Sequence, residues 1–162
     1  MESDALLREQ LQALLQGGQA HMTFEEAVTD FPRDAMNAKA PHVPYTPWQL
    51  LEHMRIAQWD ILEFIRNPQY VSPPWPRGFW PAESIQADEA AWEQTLVSFR
   101  ADLETLQQLA ADPSVDLFAP IPHGHGQSIL RELLLVADHT AFHLGEFGIL
   151  RQVMQTWPNK EP

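Results

Sequence analysis

The chain has 162 residues, 44% of them hydrophobic, and 22 acidic against 10 basic side chains give it a formal charge of −12. That length and apolar share suffice for one domain with a buried core, expected to span residues 1–162, without help from metal or disulfides. The acidic balance and the lack of any Lys/Arg cluster argue against nucleic acid and anionic membrane as partners, and the absence of cysteine removes disulfides, thiolate metal sites and cysteine nucleophiles.

The opening residues Met1-Glu2-Ser3-Asp4-Ala5-Leu6-Leu7-Arg8 lack the basic n-region and long apolar h-region of a signal peptide. No run approaches the roughly 18 uninterrupted apolar residues of a membrane span, so a cytoplasmic protein is expected. Leu6, Leu7, Leu11, Leu14 and Leu15 recur at helical spacing and predict an amphipathic helix over 4–16. Gly17-Gly18 weakens it. The pattern resumes after Thr23 with Phe24, Ala27, Val28 and Phe31, up to Pro32, giving one bent or two-part first helix.

Thr46-Pro47-Trp48-Gln49 reads as a helix start: threonine as N-cap, proline at the first helical position, and glutamine three residues on to complete a capping box. The second helix runs from there to about Asn67. Residues 68–87 hold Pro68, Pro73, Pro74, Pro76 and Pro81 among Tyr70, Trp75, Phe79 and Trp80, too proline-dense for helix and too aromatic for a slack linker. An ordered loop packed on the bundle is expected there. Helical periodicity returns over 88–111 through Trp92, Leu96, Phe99, Leu103, Leu106 and Leu109 and ends at Asp112-Pro113. A second irregular stretch, 112–127, precedes Ser128, a candidate N-cap for a long apolar helix through Gln155.

With no alternating strand pattern or internal repeat, the class is all-α, a bundle of four principal helices. The 68–87 linker can run back along the ~30 Å of the second helix at ~3.3 Å per residue. The second and third helices are therefore expected to be parallel, joined by a crossover.

His139 and His143 stand at i and i+4 in Ala137-Asp138-His139-Thr140-Ala141-Phe142-His143, one turn apart on one helix face. An isolated pair at this spacing is more often two solvated or satisfied imidazoles than a metal site. Here the helix is otherwise apolar, with Leu133, Leu134, Val136, Ala137, Leu144 and Leu150, so the pair faces inward, where an unpartnered polar ring is costly. His53, among Leu50, Leu51, Met54 and Ala57, is the third polar ring on a mainly apolar element. Three neutral imidazoles suit zinc, nickel or another borderline divalent metal and leave a position open for water or substrate.

On the crossover topology, His21 falls within ~5 Å of the height of His53 along the bundle, as a substrate-facing residue or a capping histidine beside the glycine break. Trp80 is expected at the mouth of the site, and His123 and His125 at the opposite end as loop residues. Glu146 shares the inward face while Asp138 points elsewhere; a carboxylate that orients an imidazole and a solvated surface acid both fit Glu146. For Asp60 a salt bridge or a cap is expected. Gly145 and Gly148 inside the fourth helix leave room either for a ligand or for a close helix approach.

Trp48-Gln49-Leu50-Leu51-Glu52-His53, the Pro/Trp-rich segment after it, and Arg131-Glu132 leading to Asp138-His139-Thr140-Ala141-Phe142-His143-Leu144-Gly145 resemble the DinB-like (damage-inducible) family over nearly the whole chain. The resemblance implies an up-down-down-up four-helix bundle, a frequent homodimer, and a metal held by His53, His139 and His143. It also implies a metal-activated low-molecular-weight thiol, as in bacillithiol S-transferases and a mycothiol-dependent isomerase, or water, attacking a small electrophilic substrate. With no basic patch, Arg55 and Arg131 are the residues available to an anionic thiol. Two other classes fit the same residues: a non-catalytic metal- or ligand-binding bundle of the stress response, and a purely structural homodimer built on helix faces opened by Gly145 and Gly148.

Overall fold

The computed structural model describes residues 2–158; residues 1 and 159–162 of the expected 1–162 domain lie outside the described residues. The described chain is all-helical: α1 (Glu2–Gln16), α2 (Phe24–Val28), α3 (Pro47–Arg66), α4 (Glu89–Ala111) and α5 (Ile129–Met154), with 3-10 turns at Arg33–Ala35 and Arg77–Phe79.

The helix starts follow the sequence signals. Thr46 Oγ1 accepts from Gln49 N–H at 3.2 Å while Gln49 Oε1 accepts from Thr46 N–H at 3.0 Å, with Pro47 in the first turn. This reciprocal pair satisfies two donors that a helix start otherwise leaves free. Asp88 caps α4 and Ser128 caps α5 through their side chains. The expected first helix is in two parts. Gly17 and Gly18 have φ of +74° and +81°, a left-handed conformation that glycine adopts at no steric cost, so the chain turns there and restarts at a second capping box, Thr23 with Glu26.

The helices α1 and α3 each touch both α4 and α5, closing a ring of four long helices, and the short α2 lies against α5. Two apolar clusters fill the interior. One joins Phe24, Val28 and Phe31 to Leu50, Leu51, Met54, Trp92, Phe99 and Phe147; the other joins Leu11 and Leu15 to Leu62, Leu106, Leu117, Leu133 and Val136. Among the described helices only Ile129–Met154 has the length and hydropathy of a membrane span. Its buried polar residues are Glu132, Thr140, His143 and Arg151, all turned into the protein.

The proline-rich connection between α3 and α4 is partly packed and partly exposed. Phe79 and Ala87 are buried, whereas Val71 and Trp75 stand out at 85% and 72% exposure. Its Arg77–Phe79 turn lies on α3. A side chain at Gly78 would strike Pro73 and Pro74, so glycine permits the tight return that sets the Phe79 carbonyl over α3.

Candidate metal centre

The histidine centre begins with α3, whose buried face carries His53 at 1% exposure, and α5, which presents His139 and His143 one turn apart. The three rings meet at their Nε2 atoms: His53 to His143 at 3.1 Å and His53 to His139 at 3.2 Å. The helical i, i+4 spacing and the contact of α3 with α5 together produce this convergence.

The outward nitrogens are committed. His53 Nδ1 lies 2.8 Å from the Phe79 carbonyl oxygen, and His143 Nδ1 lies 2.7 Å from Glu146 Oε2. A carbonyl or a carboxylate only accepts, so both Nδ1 atoms carry hydrogen, and in the neutral rings both Nε2 atoms are lone pairs. Burial keeps the rings neutral. It lowers the His53 pKa, against the opposing pull of the Phe79 carbonyl and the Glu146 charge. Burial, then the neighbouring His143 and His53, lowers His139 to about 3; burial and His53 lower His143 to about 4.

Two lone pairs aimed at each other across 3.1 Å repel unless something positive lies between them. Metal–nitrogen bonds of about 2.0–2.1 Å set ligand nitrogens roughly 2.9 Å apart at a right angle and roughly 3.4 Å apart at the tetrahedral angle, and the observed 3.1 and 3.2 Å fall between. The donor set fits a divalent metal, and His53, His139 and His143 could hold one. A family model of the DinB superfamily matches residues 16–147, which include all three histidines. The chain belongs to the DinB superfamily. Neither the comparison with curated proteins nor that with solved structures returned a match.

Around this DinB-superfamily centre the irregular segments before α3 and between α3 and α4 add an aromatic wall. Trp80 stacks on His53 with centroids 3.9 Å apart and planes 4° apart, and Tyr45 also stacks on Trp80, at 5.3 Å. Phe142, 63% exposed, sets its ring edge-to-face on His143. Behind His143, burial raises the pKa of the Glu146 carboxyl, an effect opposed by the neighbouring Tyr45 hydroxyl and by His53. Burial likewise raises Tyr45.

Trp80 is therefore brought to the histidines, whereas His21 is not among the converging rings. His21 Nδ1 pairs with the Met22 carbonyl at 2.8 Å, and the ring faces Gly17, lining a small void with Thr140 and Leu144. Height along a helix axis was the basis for placing it, and the left-handed turn at Gly17-Gly18 redirects it around that axis. His123 donates to the Phe64 carbonyl, and His125 is an exposed loop residue. Asp138 is exposed, and Asp60 accepts from the Tyr70 hydroxyl at 2.9 Å. Gly148 is packed against the end of Met22, but a Cβ on Gly145 would meet nothing within 4 Å. Arg55 pairs with Glu52 and Arg131 with Glu132. Tyr45 and the Phe79 carbonyl had no signal in the sequence: one is a loop residue before a cap, the other a backbone group.

Proposed function

We propose that this protein is a metal-dependent enzyme in which His53, His139 and His143 hold one divalent transition ion, zinc or nickel, and a small electrophilic substrate is attacked by a low-molecular-weight thiol or by water. The observation that carries the reading is the convergence of three Nε2 atoms on neutral rings, two of which, His53 and His143, are buried and fixed from behind. An ion held there supplies Lewis-acid activation of the attacking group. The chain's own residues do the rest. The Phe79 carbonyl and Glu146 hold two imidazoles in the tautomer that leaves Nε2 free. The Trp80 indole covers one face of His53 and excludes water from it. The Tyr45 hydroxyl, beside Glu146, is placed to position a substrate.

Between the two attacking groups, the pairing of Arg55 with Glu52 and of Arg131 with Glu132 favours water or an uncharged thiol, since neither cation is free for an anionic one. An up-down-down-up arrangement is supported by the bond of Trp48 Nε1 to Thr95 Oγ1 at 3.1 Å and of Gln58 Nε2 to the Phe99 carbonyl at 2.8 Å, which pair the rising order of α3 with that of α4. The reading further includes a single cytoplasmic domain that assembles as a homodimer; the exposed Leu6, Leu14 and Leu134 support the assembly.

The test is bound metal by elemental mass spectrometry on untagged protein, beside His53→Ala and His143→Ala. Near one equivalent in the native protein, lost in both variants with the helical spectrum retained, supports the reading. No stoichiometric metal after reconstitution with zinc, nickel and manganese rejects it.

A further inference from the structure

A groove of about 430 Å³ opens along the outer side of α5, walled by Val43, Tyr45, Gly145, Glu146, Ile149 and Val153. Its volume lies in the range of small-molecule sites. Three observations point to a ligand. Glu146, which holds His143 through Nδ1, also lines the groove, so groove and histidines share a wall. Gly145 sits mid-helix at a cost of about 1 kcal/mol against alanine, yet a Cβ there meets no atom within 4 Å. Helix packing within this chain does not require the glycine, whereas an open groove floor does. Third, Glu146 is the sole charged residue lining the groove, so no cation is present to receive a carboxylate or phosphate.

We propose that this groove is a ligand groove beside the histidine centre, on the Nδ1 side of His143, and takes an uncharged molecule, apolar along most of its length, whose O–H or N–H head donates to Glu146 next to Tyr45. This rests on the metal-centre reading above. The stretch from Gly145 to Val153 spans about 12 Å at 1.5 Å per residue, the reach of a medium-length alkyl chain. A carboxylate accepts at up to four lone-pair positions, so Glu146 serves His143, Tyr45 and a ligand head together. An acceptor-only anionic head meets like charge there instead.

The experiment uses the full chain, metal-loaded, with octanol and octanoate as probes in calorimetric titrations. Octanol is expected to bind saturably at one site, and octanoate about tenfold or more weakly. Gly145→Leu fills the floor and replaces glycine by a good helix former. It should abolish octanol binding while the melting temperature holds or rises. Ile149→Ser should weaken binding, and Val97→Ser, an exposed apolar site on α4, should leave it unchanged. Equal binding of octanoate, or native-like binding by Gly145→Leu, overturns the proposal. So does light scattering that shows a dimer falling apart in Gly145→Leu, because the groove is then a subunit interface. Metal content measured on each sample separates the two readings: native protein that carries metal yet binds no octanol rejects the groove alone, and native protein without metal rejects the centre.

Discussion

His53 and His143 face each other nitrogen to nitrogen, 3.1 Å apart at Nε2, while each has committed its Nδ1 hydrogen, one to the Phe79 carbonyl and the other to the Glu146 carboxylate. The two lone pairs are thus held together by groups that are not themselves ligands. Removing such an outer partner loosens a ring without deleting it.

Glu146→Ala is therefore expected to weaken metal binding by roughly 10- to 100-fold, the usual effect of losing a partner that orients a ligating histidine. Glu146→Gln should cost less, because the amide oxygen still accepts from Nδ1. Competition with a chromogenic chelator measures both. Native affinity in Glu146→Ala would mean that α5 alone fixes the ring.

The same burial makes the metal-free protein acid-sensitive. His139 is lowered to about 3 and His143 to about 4, against 6.5 for the free side chain. The unfolded chain therefore takes up protons first as the pH falls below 6.5. Stability falls wherever the unfolded state binds more protons, so it declines from 6.5 down to about 4 through His143 and on to about 3 through His139. Melting temperatures followed by circular dichroism in chelator should drop across this window, and His139→Gln and His143→Gln should flatten the slope. Slopes equal to the native one would assign the loss to other groups.

Much of this was legible in the residues. Thr46 and Ser128 marked the helix starts because a cap is a local device, complete within four residues. The histidine set was legible because polar rings on apolar helices must find a partner. For His21 the spacing gave a height but no direction, because two glycines with positive φ intervene, and the substrate-facing and capping readings stayed open in the sequence. Tyr45 and the Phe79 carbonyl reach the site only through the path of irregular segments. Arg8 and Arg151 are buried at 6% and 0% exposure, and no pattern around either lone cation marks it as buried.

Trp80 offers an optical probe of the centre. Its indole lies flat on His53, with centroids 3.9 Å apart, and 6.4 Å from His143. Adding nickel to metal-free protein should quench tryptophan emission, and Trp80→Phe should remove most of that quenching while binding persists, since a phenyl ring still covers His53. Undiminished quenching in Trp80→Phe would place the ion nearer to another indole.

Arg151 tests whether the site and the frame separate energetically. Its guanidinium donates to the Ala27 and Thr29 carbonyls at 2.7 and 2.8 Å and to the Thr156 carbonyl at 2.7 Å, and it lies 4.0 Å over the Trp157 ring. It thereby joins the end of α2 to the end of α5. Arg151→Met keeps the apolar stem but leaves buried carbonyls without a donor, at roughly 1–3 kcal/mol for each one not reached by water. The loss expected in urea unfolding is about 3 kcal/mol or more. Metal stoichiometry should not change, because Phe79 and Glu146 fix His53 and His143 and the contact of α3 with α5 brings His139 to them, none of which involves Arg151. If metal is lost along with stability, the α2–α5 junction and the histidine centre form one cooperative unit. If only stability falls, α3 and the middle of α5 hold the centre on their own.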